Sequence, residues 1–328
     1  MAQAGPALRL VFMGTPDFAA EVLRHVAGWK GGEVVGVYTQ PDRKSGRGQT
    51  LKPSPVKAYA LEQGFDVYQP LNFKDDADVA QLADLRPDVL LVAAYGLILP
   101  QRVLDIPTHG ALNVHASLLP KYRGAAPIQR SILNGEPATG VTIMQMEAGL
   151  DTGPMLLQRA LGIAWDDTAE TIHDQLADMG GRMLAETLDM LVEGRITSIS
   201  QDDDRATYAA KLTKDEGHID WDQPVDQIHN RIRAMHPWPG AYFMVDMGEG
   251  KKRLRLGLRP GTPGEERPED VAPGTIMGLE GCDKLKIAAQ DKIYLVSTVQ
   301  PQGKRPMSAD AFYCGYLSKC EGEVKACS

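Results

Sequence analysis

Three side chains near the middle of the chain could do chemistry together: Asn113 and His115 in Ala111-Leu112-Asn113-Val114-His115, and Asp151 in Leu150-Asp151-Thr152-Gly153. On a strand, residues two apart share a face, so Asn113 and His115 project together while Leu112 and Val114 point into a core. A half-buried strand ordinarily spends its open face on Thr, Lys or Glu. A carboxamide beside an imidazole instead offers an N–H donor next to a group that holds or gives a proton near neutral pH. Asp151 follows the apolar run Val141 to Met146 in a turn, which predicts that the carboxylate meets the other two at neighbouring strand ends.

The surrounding elements have to place that trio. Leu118-Leu119-Pro120 breaks the strand, and Tyr122 to Pro127 forms a rigid loop into an apolar helix near Ile128 to Leu133. Such a loop lies where open α/β sheets bind ligands, beyond a strand's carboxyl end. Leu8 to Met13 reads as a buried first strand, followed by Gly14-Thr15-Pro16 and a helix from Asp17 to Ala27, the opening of a βαβ unit. No GxGxxG is present and the strand Glu33 to Tyr38 ends in Thr39-Gln40 without an acid, which disfavours a dinucleotide. A helix at Val56 to Gln63, a strand at Asp66 to Tyr68 and a helix at Asp75 to Asp84 lead to Asp88 to Ala94, apolar on both faces like a central parallel strand. Tyr95 and Gly96 at its end line the cleft, with core packing the equal alternative for Tyr95.

Beyond Asp151, a strand at Pro154 to Ala164 and a long helix at Asp167 to Glu193 follow, with Ile172, Leu176, Met179, Met183 and Leu184 at core spacing and His173 as a surface or satisfied histidine rather than a ligand. Residues 1–193 thus form an α/β catalytic domain, doubly wound on a mostly parallel sheet, and residues 194–206, with their acidic Asp202-Asp203-Asp204, an exposed linker. In residues 207–328 a helix at Val225 to Met235 precedes short strands at Ala241 to Asp246, Arg253 to Arg259, Gly274 to Gly278, Leu285 to Ala288 and Lys292 to Gln300, an all-β module. The charged stretch Arg259 to Pro273 reads as a long loop between strands, and the tail from Cys314 carries no legible role.

The chain's 328 residues suffice for two domains with substantial cores. No run approaches a membrane span and Leu8 to Met13 is too short for a signal segment, so a cytoplasmic protein is expected. Cys282, Cys314, Cys320 and Cys327 lack paired CxxC spacing; reduced thiols and no metal are expected. The net charge of −8 is uneven: residues 206–328 hold 17 Lys and Arg against 17 Asp and Glu, so the deficit lies upstream. Even there, the stretch from Arg43 to Lys57 holds Arg43, Lys44, Arg47, Lys52 and Lys57 with no acid, and most of it lies in a glycine-bearing loop from Pro41 to Pro55. A long loop of that kind in a compact domain is more often functional than a connector, and its local field suits a phosphate backbone.

Asn113-x-His115, Ser117-Leu118-Leu119-Pro120 and Asp151-Thr152-Gly153, together with Gly14-Thr15-Pro16-Asp17-Phe18, Gln40-Pro41-Asp42-Arg43, Gly46-Arg47-Gly48, Ala94-Tyr95-Gly96 and His236-Pro237-Trp238-Pro239-Gly240, resemble the folate-dependent formyltransferases over nearly the whole chain. The resemblance implies a Rossmann-like domain followed by an OB-like β-barrel, and transfer of a formyl group from 10-formyltetrahydrofolate to the methionyl amine of initiator methionyl-tRNA. It further implies Asn113, His115 and Asp151 as catalytic residues, folate contacts from Ser117, Leu118, Leu119 and Pro120 through their backbone, and tRNA contacts from Arg43, Lys44, Arg47 and Lys52. A monomer is expected. Formylation of a small amine, such as a nucleotide sugar or glycinamide ribonucleotide, would keep the trio without needing the basic loop or the β module. A formyl-folate hydrolase would share the trio but lack the amine acceptor. A tRNA-binding module without catalysis would leave the trio unexplained.

Overall fold

The computed structural model describes residues 7–45, 50–247, 253–318 and 324–327. Its contacts separate two compact units, one of Met1–Pro127, Ala138–Gly162 and His173–Ala209, the other of Ile128–Pro137, Ile163–Ile172 and Ala210–Ser328.

In chain order the first half contains β1 (Leu8–Gly14), α1 (Asp17–Gly28), β2 (Gly32–Tyr38), β3 (Arg43–Ser45), β4 (Thr50–Lys52), α2 (Pro55–Glu62), β5 (Val67–Tyr68), α3 (Asp76–Asp84), β6 (Val89–Ala93), α4 (Gln101–Leu104) and β7 (Ala111–His115). Then come β8 (Arg123–Gly124), α5 (Pro127–Leu133), β9 (Ala138–Gln145), β10 (Met155–Gly162), α6 (Ala169–Val192) and β11 (Tyr208–Ala209). Local chemistry starts the helices: Ser54 Oγ accepts from Lys57 N–H ahead of α2, with Pro55 at its first turn, and Asp75 caps Ala77 N–H ahead of α3.

Seven strands form one sheet in the order β10-β9-β7-β6-β1-β2-β5. β5, β2, β1, β6 and β7 run parallel, while β9 is antiparallel to both β7 and β10. The chain proceeds outward from β1 through β2 to β5, then returns to build β6 and β7 on the other side. The order therefore reverses between β1 and β6, and the carboxyl ends there open a crevice suited to a ligand. At that point Thr15 Oγ1, just past β1, donates to the Tyr95 carbonyl just past β6 at 2.9 Å. Every residue of β6 and of β7 is buried. The alternation in β7 suggests a half-buried strand, yet it is an interior one, so its polar face is enclosed rather than turned to water.

The second unit carries α7 (Val225–Ala234) and then β12 (Ala241–Asp246), β13 (Leu254–Leu258), β14 (Thr262–Glu266), β15 (Ile276–Glu280), β16 (Lys284–Ala288), β17 (Lys292–Val296), β18 (Thr298–Pro301), β19 (Met307–Ser308), α8 (Ala309–Phe312) and β20 (Lys325–Cys327). The expected single strand at Lys292 to Gln300 divides at Ser297 into β17 and β18, which pair in different sheets. Pairings run β15-β16-β17, continue through β18 to β13, β12 and β20, and return to β15 through a Thr275–Lys325 bridge. Ile276 N–H to Val324 O and Ala326 N–H to Gly274 O, both 2.9 Å, flank that bridge and tie the two sheets together in an OB-like arrangement. The tail thus supplies the joining strand, and the supposed loop Arg259 to Pro273 contains β14, an edge strand on β17. Cys282 and Cys314 are free and exposed. Among the described residues no helix is long and apolar enough to cross a membrane.

Candidate active site

β7 holds Asn113 and His115 on one face, 9% and 5% exposed respectively. The Asn113 carboxamide makes no hydrogen bond to any other described residue. Enclosed polar groups are nearly always paired within a protein, and one left open in a crevice is available to a ligand. His115 is half committed: Nε2 lies 2.9 Å from the Tyr122 carbonyl. A carbonyl only accepts, so Nε2 carries the hydrogen there and Nδ1 is the ring atom left for chemistry. That atom faces Asp151 Oδ2 at 3.7 Å.

Asp151 does not reach His115 from a neighbouring strand end, as its place after an apolar strand suggests. The register sets His115 opposite Thr142 and Leu112 opposite Gln145, so β9 ends beside the start of β7. The β9–β10 turn must double back along β7 to bring Asp151 to His115. Gly153 permits the tight return, because a Cβ there would strike the Gln145 carbonyl. Asp151 itself takes a left-handed backbone, φ +52°, uncommon for a non-glycine residue though less so for aspartate. Its Oδ2 accepts from Gly124 N–H at 2.8 Å. Its carbonyl and that of Gly153 accept from Gln201 Nε2 at 2.8 and 2.7 Å.

The loop after β7 is organised by Thr142. Its hydroxyl donates to Ser117 O at 2.7 Å and accepts from Leu119 N–H at 3.2 Å and Gln158 Nε2 at 2.9 Å. Gln158 Nε2 also donates to Leu119 O, and Ser117 Oγ to Lys121 O at 2.6 Å. Several backbone groups expected to meet a folate are therefore spent inside the loop, leaving the half-buried Leu118 and Pro120 to offer shape and apolar contact. Tyr95 sits in the core at 2% exposure, packed in a cluster with Tyr38, Val92 and Leu99. Core packing is what its ring does; its carbonyl is held by Thr15 and by Gln40 Nε2 at 3.0 Å. A side chain at Gly96 would collide with that Gln40 carboxamide, so glycine lets the two loops close together.

The basic loop is a hairpin of β3 and β4, rooted by buried-edge polar contacts. Lys57 Nζ binds Asp42 at 2.7 Å and Gln69 at 2.8 Å, holding the Asp42 carboxyl below the usual carboxylate range with help from Gln69. Arg43 donates to Gln40 Oε1 at 2.5 Å, so it braces the root as well as carrying charge. Lys52 is exposed, Lys44 is described only in its backbone, and Arg47 lies outside the described residues. Lys251-Lys252-Arg253-x-Arg255 is a second basic cluster in the sequence; Lys251 and Lys252 also lie outside the described residues, while Arg255 stacks over Tyr242 at 3.7 Å. Glu21, His25 and Asp178 could close on a cation, but Arg24 and Arg182 already pair with the two carboxylates at 2.5 and 2.7 Å.

Three site residues escape a reading of motifs. Thr142 had a signal, a lone hydroxyl inside an otherwise apolar strand. Arg123, with a side chain 2% exposed, and Gln201, in the exposed stretch after α6, meet across a sequence gap that no local pattern bridges.

Residues 8–188 match the formyl transferase family and residues 211–317 the formyl transferase C-terminal domain. The methionyl-tRNA formyltransferase of Nitratidesulfovibrio vulgaris (strain DP4) is 56% identical over 98% of this chain and 97% of its own. That of Marinobacter nauticus is 48% identical over 92% of this chain and 94% of its own. Among solved structures, the N-formyltransferase from Helicobacter canadensis in complex with folinic acid and dTDP-3-aminofucose shares the fold, with a TM-score of 0.62, 19% identity, and coverage of 88% of this chain and 98% of that one. The chain belongs to the formyl transferase family and, within it, with the methionyl-tRNA formyltransferases.

Proposed function

We propose that the chain transfers the formyl group of 10-formyltetrahydrofolate to the free amino group of the methionyl moiety of initiator methionyl-tRNA, giving N-formylmethionyl-tRNA for translation initiation, as a cytoplasmic monomer. The observation that carries the chemistry is an Asn113 carboxamide without a protein partner on the same enclosed face of β7 as His115, whose Nδ1 lies 3.7 Å from Asp151 Oδ2. The donor supplies a formyl carbon bound to N10. Transfer joins that carbon to the amine, breaks its bond to N10 and moves one proton from the amine to N10, so atoms and charge balance.

Asn113 aims an N–H at the carbonyl oxygen as it gains negative charge, a preorganised donor that costs no rearrangement when the charge appears. His115 Nδ1 offers a second donor whenever it carries a proton, with the Asp151 carboxylate beside it. The Asp151 carboxylate also orders a water that carries the amine proton away. The Ser117 to Pro120 loop and the Tyr95-Gly96 turn shape the donor's side of the crevice. The β3–β4 hairpin, with Arg43, Lys44 and Lys52 on its arms and Arg47 in the sequence between them, meets the tRNA acceptor end, and the OB-like unit adds nucleic-acid surface.

The test offers 10-formyltetrahydrofolate with methionyl initiator tRNA, with a sugar amine, or with water alone, and identifies the product. N-formylmethionyl-tRNA is expected. Formate released without acceptor, or preference for the sugar amine, overturns the assignment.

A further inference from the structure

Gln201 lies in an acidic, exposed stretch, yet its carboxamide is the centre of a circuit around Asp151. Its Nε2 donates one hydrogen to the Asp151 carbonyl (2.8 Å) and the other to the Gly153 carbonyl (2.7 Å). Its Oε1 accepts from Arg123 Nε (3.1 Å) and Nη2 (2.9 Å). Arg123 is followed by Gly124, whose N–H holds Asp151 Oδ2 at 2.8 Å. Asp151 is thus fixed at its backbone and at its carboxylate by one pair of adjacent residues, reached by two routes.

We infer that Gln201, anchored by Arg123, is a positioning residue for formyl transfer, holding Asp151 against His115. The inference rests on the reading of Asp151 as catalytic. Three features support it. The turn bearing Asp151 doubles back along β7 and places a non-glycine residue at φ +52°, so it needs ties to hold it. Only a carboxamide can donate twice at one end and accept at the other: a carboxylate cannot donate, a cation cannot accept, and asparagine is a methylene short. The anchor is itself immobile, because the Arg123 side chain is 2% exposed and its Nη2 also binds Asp203 at 2.7 Å. A side chain linking two turn carbonyls to a buried guanidinium, with the catalytic carboxylate on the same turn, sets geometry at the reacting centre without touching substrate.

The experiment compares Gln201→Ala, Gln201→Glu, Asp151→Ala and the two double variants in the full chain, reading kcat and both KM values with active sites counted by folate binding. Gln201→Glu matches the native side chain in size and keeps a partner in Arg123, but it loses both donations, and the folate-binding count restricts kcat to folded molecules. Misplacement of a catalytic group by about an ångström can cost up to about 100-fold, so each Gln201 variant is expected to lower kcat about 10- to 100-fold with KM little changed. Added to Asp151→Ala, neither should cause further loss. Unchanged kcat in Gln201→Glu alongside a damaged Asp151→Ala overturns the positioning role and leaves the catalytic reading standing. A full multiplicative loss in the double variants also overturns it, since Gln201 would then act without Asp151. Undiminished kcat in Asp151→Ala removes both.

Discussion

Two histidines, one in each unit, begin from the same arrangement and end in different roles. His115 and His229 are both buried, and each gives its Nε2 to a backbone carbonyl, Tyr122 O at 2.9 Å and Trp165 O at 2.7 Å. That shared contact fixes the same tautomer in both and leaves Nδ1 as the variable atom. In His229 it faces the Tyr294 hydroxyl at 3.1 Å, inside an aromatic cage where Trp165 stacks at 4.7 Å. In His115 it faces a carboxylate. Burial pushes His229 below the ordinary histidine range despite the Trp165 carbonyl, with the Arg233 charge adding to the fall. Burial likewise holds the Tyr294 phenol well above its usual range, so it remains an O–H donor to Nδ1. Burial therefore does not separate a reactive histidine from a structural one; the group beyond Nδ1 does.

The largest effects separate the two rings themselves. His115→Gln is expected to lower single-turnover formyl transfer about 10²–10³-fold, the usual cost of losing a preorganised donor, while the urea midpoint barely moves. His229→Gln should do the reverse, costing about 1–3 kcal/mol of stability through the caged polar groups it leaves unpaired and sparing turnover per folded molecule. Measured side by side, a stable but inactive His229→Gln would erase the distinction.

The next effects come from the partners at Nδ1. Asp151→Asn removes a charge that faces a reacting ring and should cut turnover with little change in stability. Tyr294→Phe removes a hydroxyl that serves His229 and also accepts from Gly261 N–H at 3.0 Å. Its expected cost is about 1–3 kcal/mol with turnover retained, read by denaturant titration and single-turnover assay. If Tyr294→Phe impaired chemistry as Asp151→Asn does, the second unit would hold more than structure.

How much of this the sequence could disclose follows from the range of each contact. Asn113 and His115 are legible because strand alternation ties spacing to facing, and β1, β6 and α6 because their apolar patterns are long. The sequence puts Asp151 in the turn after an apolar strand, but its return along β7 depends on a β7–β9 register that apolar spacing does not encode. Gln201 and Arg123 meet through side chains 78 residues apart, among neighbours whose polarity says only that they are exposed. His229 sits on a helix that the pattern located, yet its partners Trp165 and Tyr294 come from 64 and 65 residues away. β14 was invisible because Thr262-Pro263-Gly264-Glu265-Glu266 has neither alternation nor β-branched bulk beyond one threonine, and is a strand only because β17 pairs with it.

The smallest expected effect tests the comparison through protons. His229 has a depressed folded pKa, so over the relevant range the unfolded chain binds the extra proton. Its neutral ring contributes fully above the unfolded value near 6.5, and that contribution is lost as pH falls through that value toward the folded one. Stability should therefore rise with pH, by at most about 1.4 kcal/mol per pH unit for a single proton. His236, in the same unit, is also depressed, by burial and by Arg259, so the wild-type slope contains both. The informative quantity is the difference between wild type and His229→Gln in unfolding free energy between about pH 8 and about pH 5.5. The variant should lose less stability on acidification than wild type, because glutamine has no proton to gain. Parallel curves would mean that His229 titrates alike in folded and unfolded chains, and the caged neutral imidazole assigned to it would have to be abandoned.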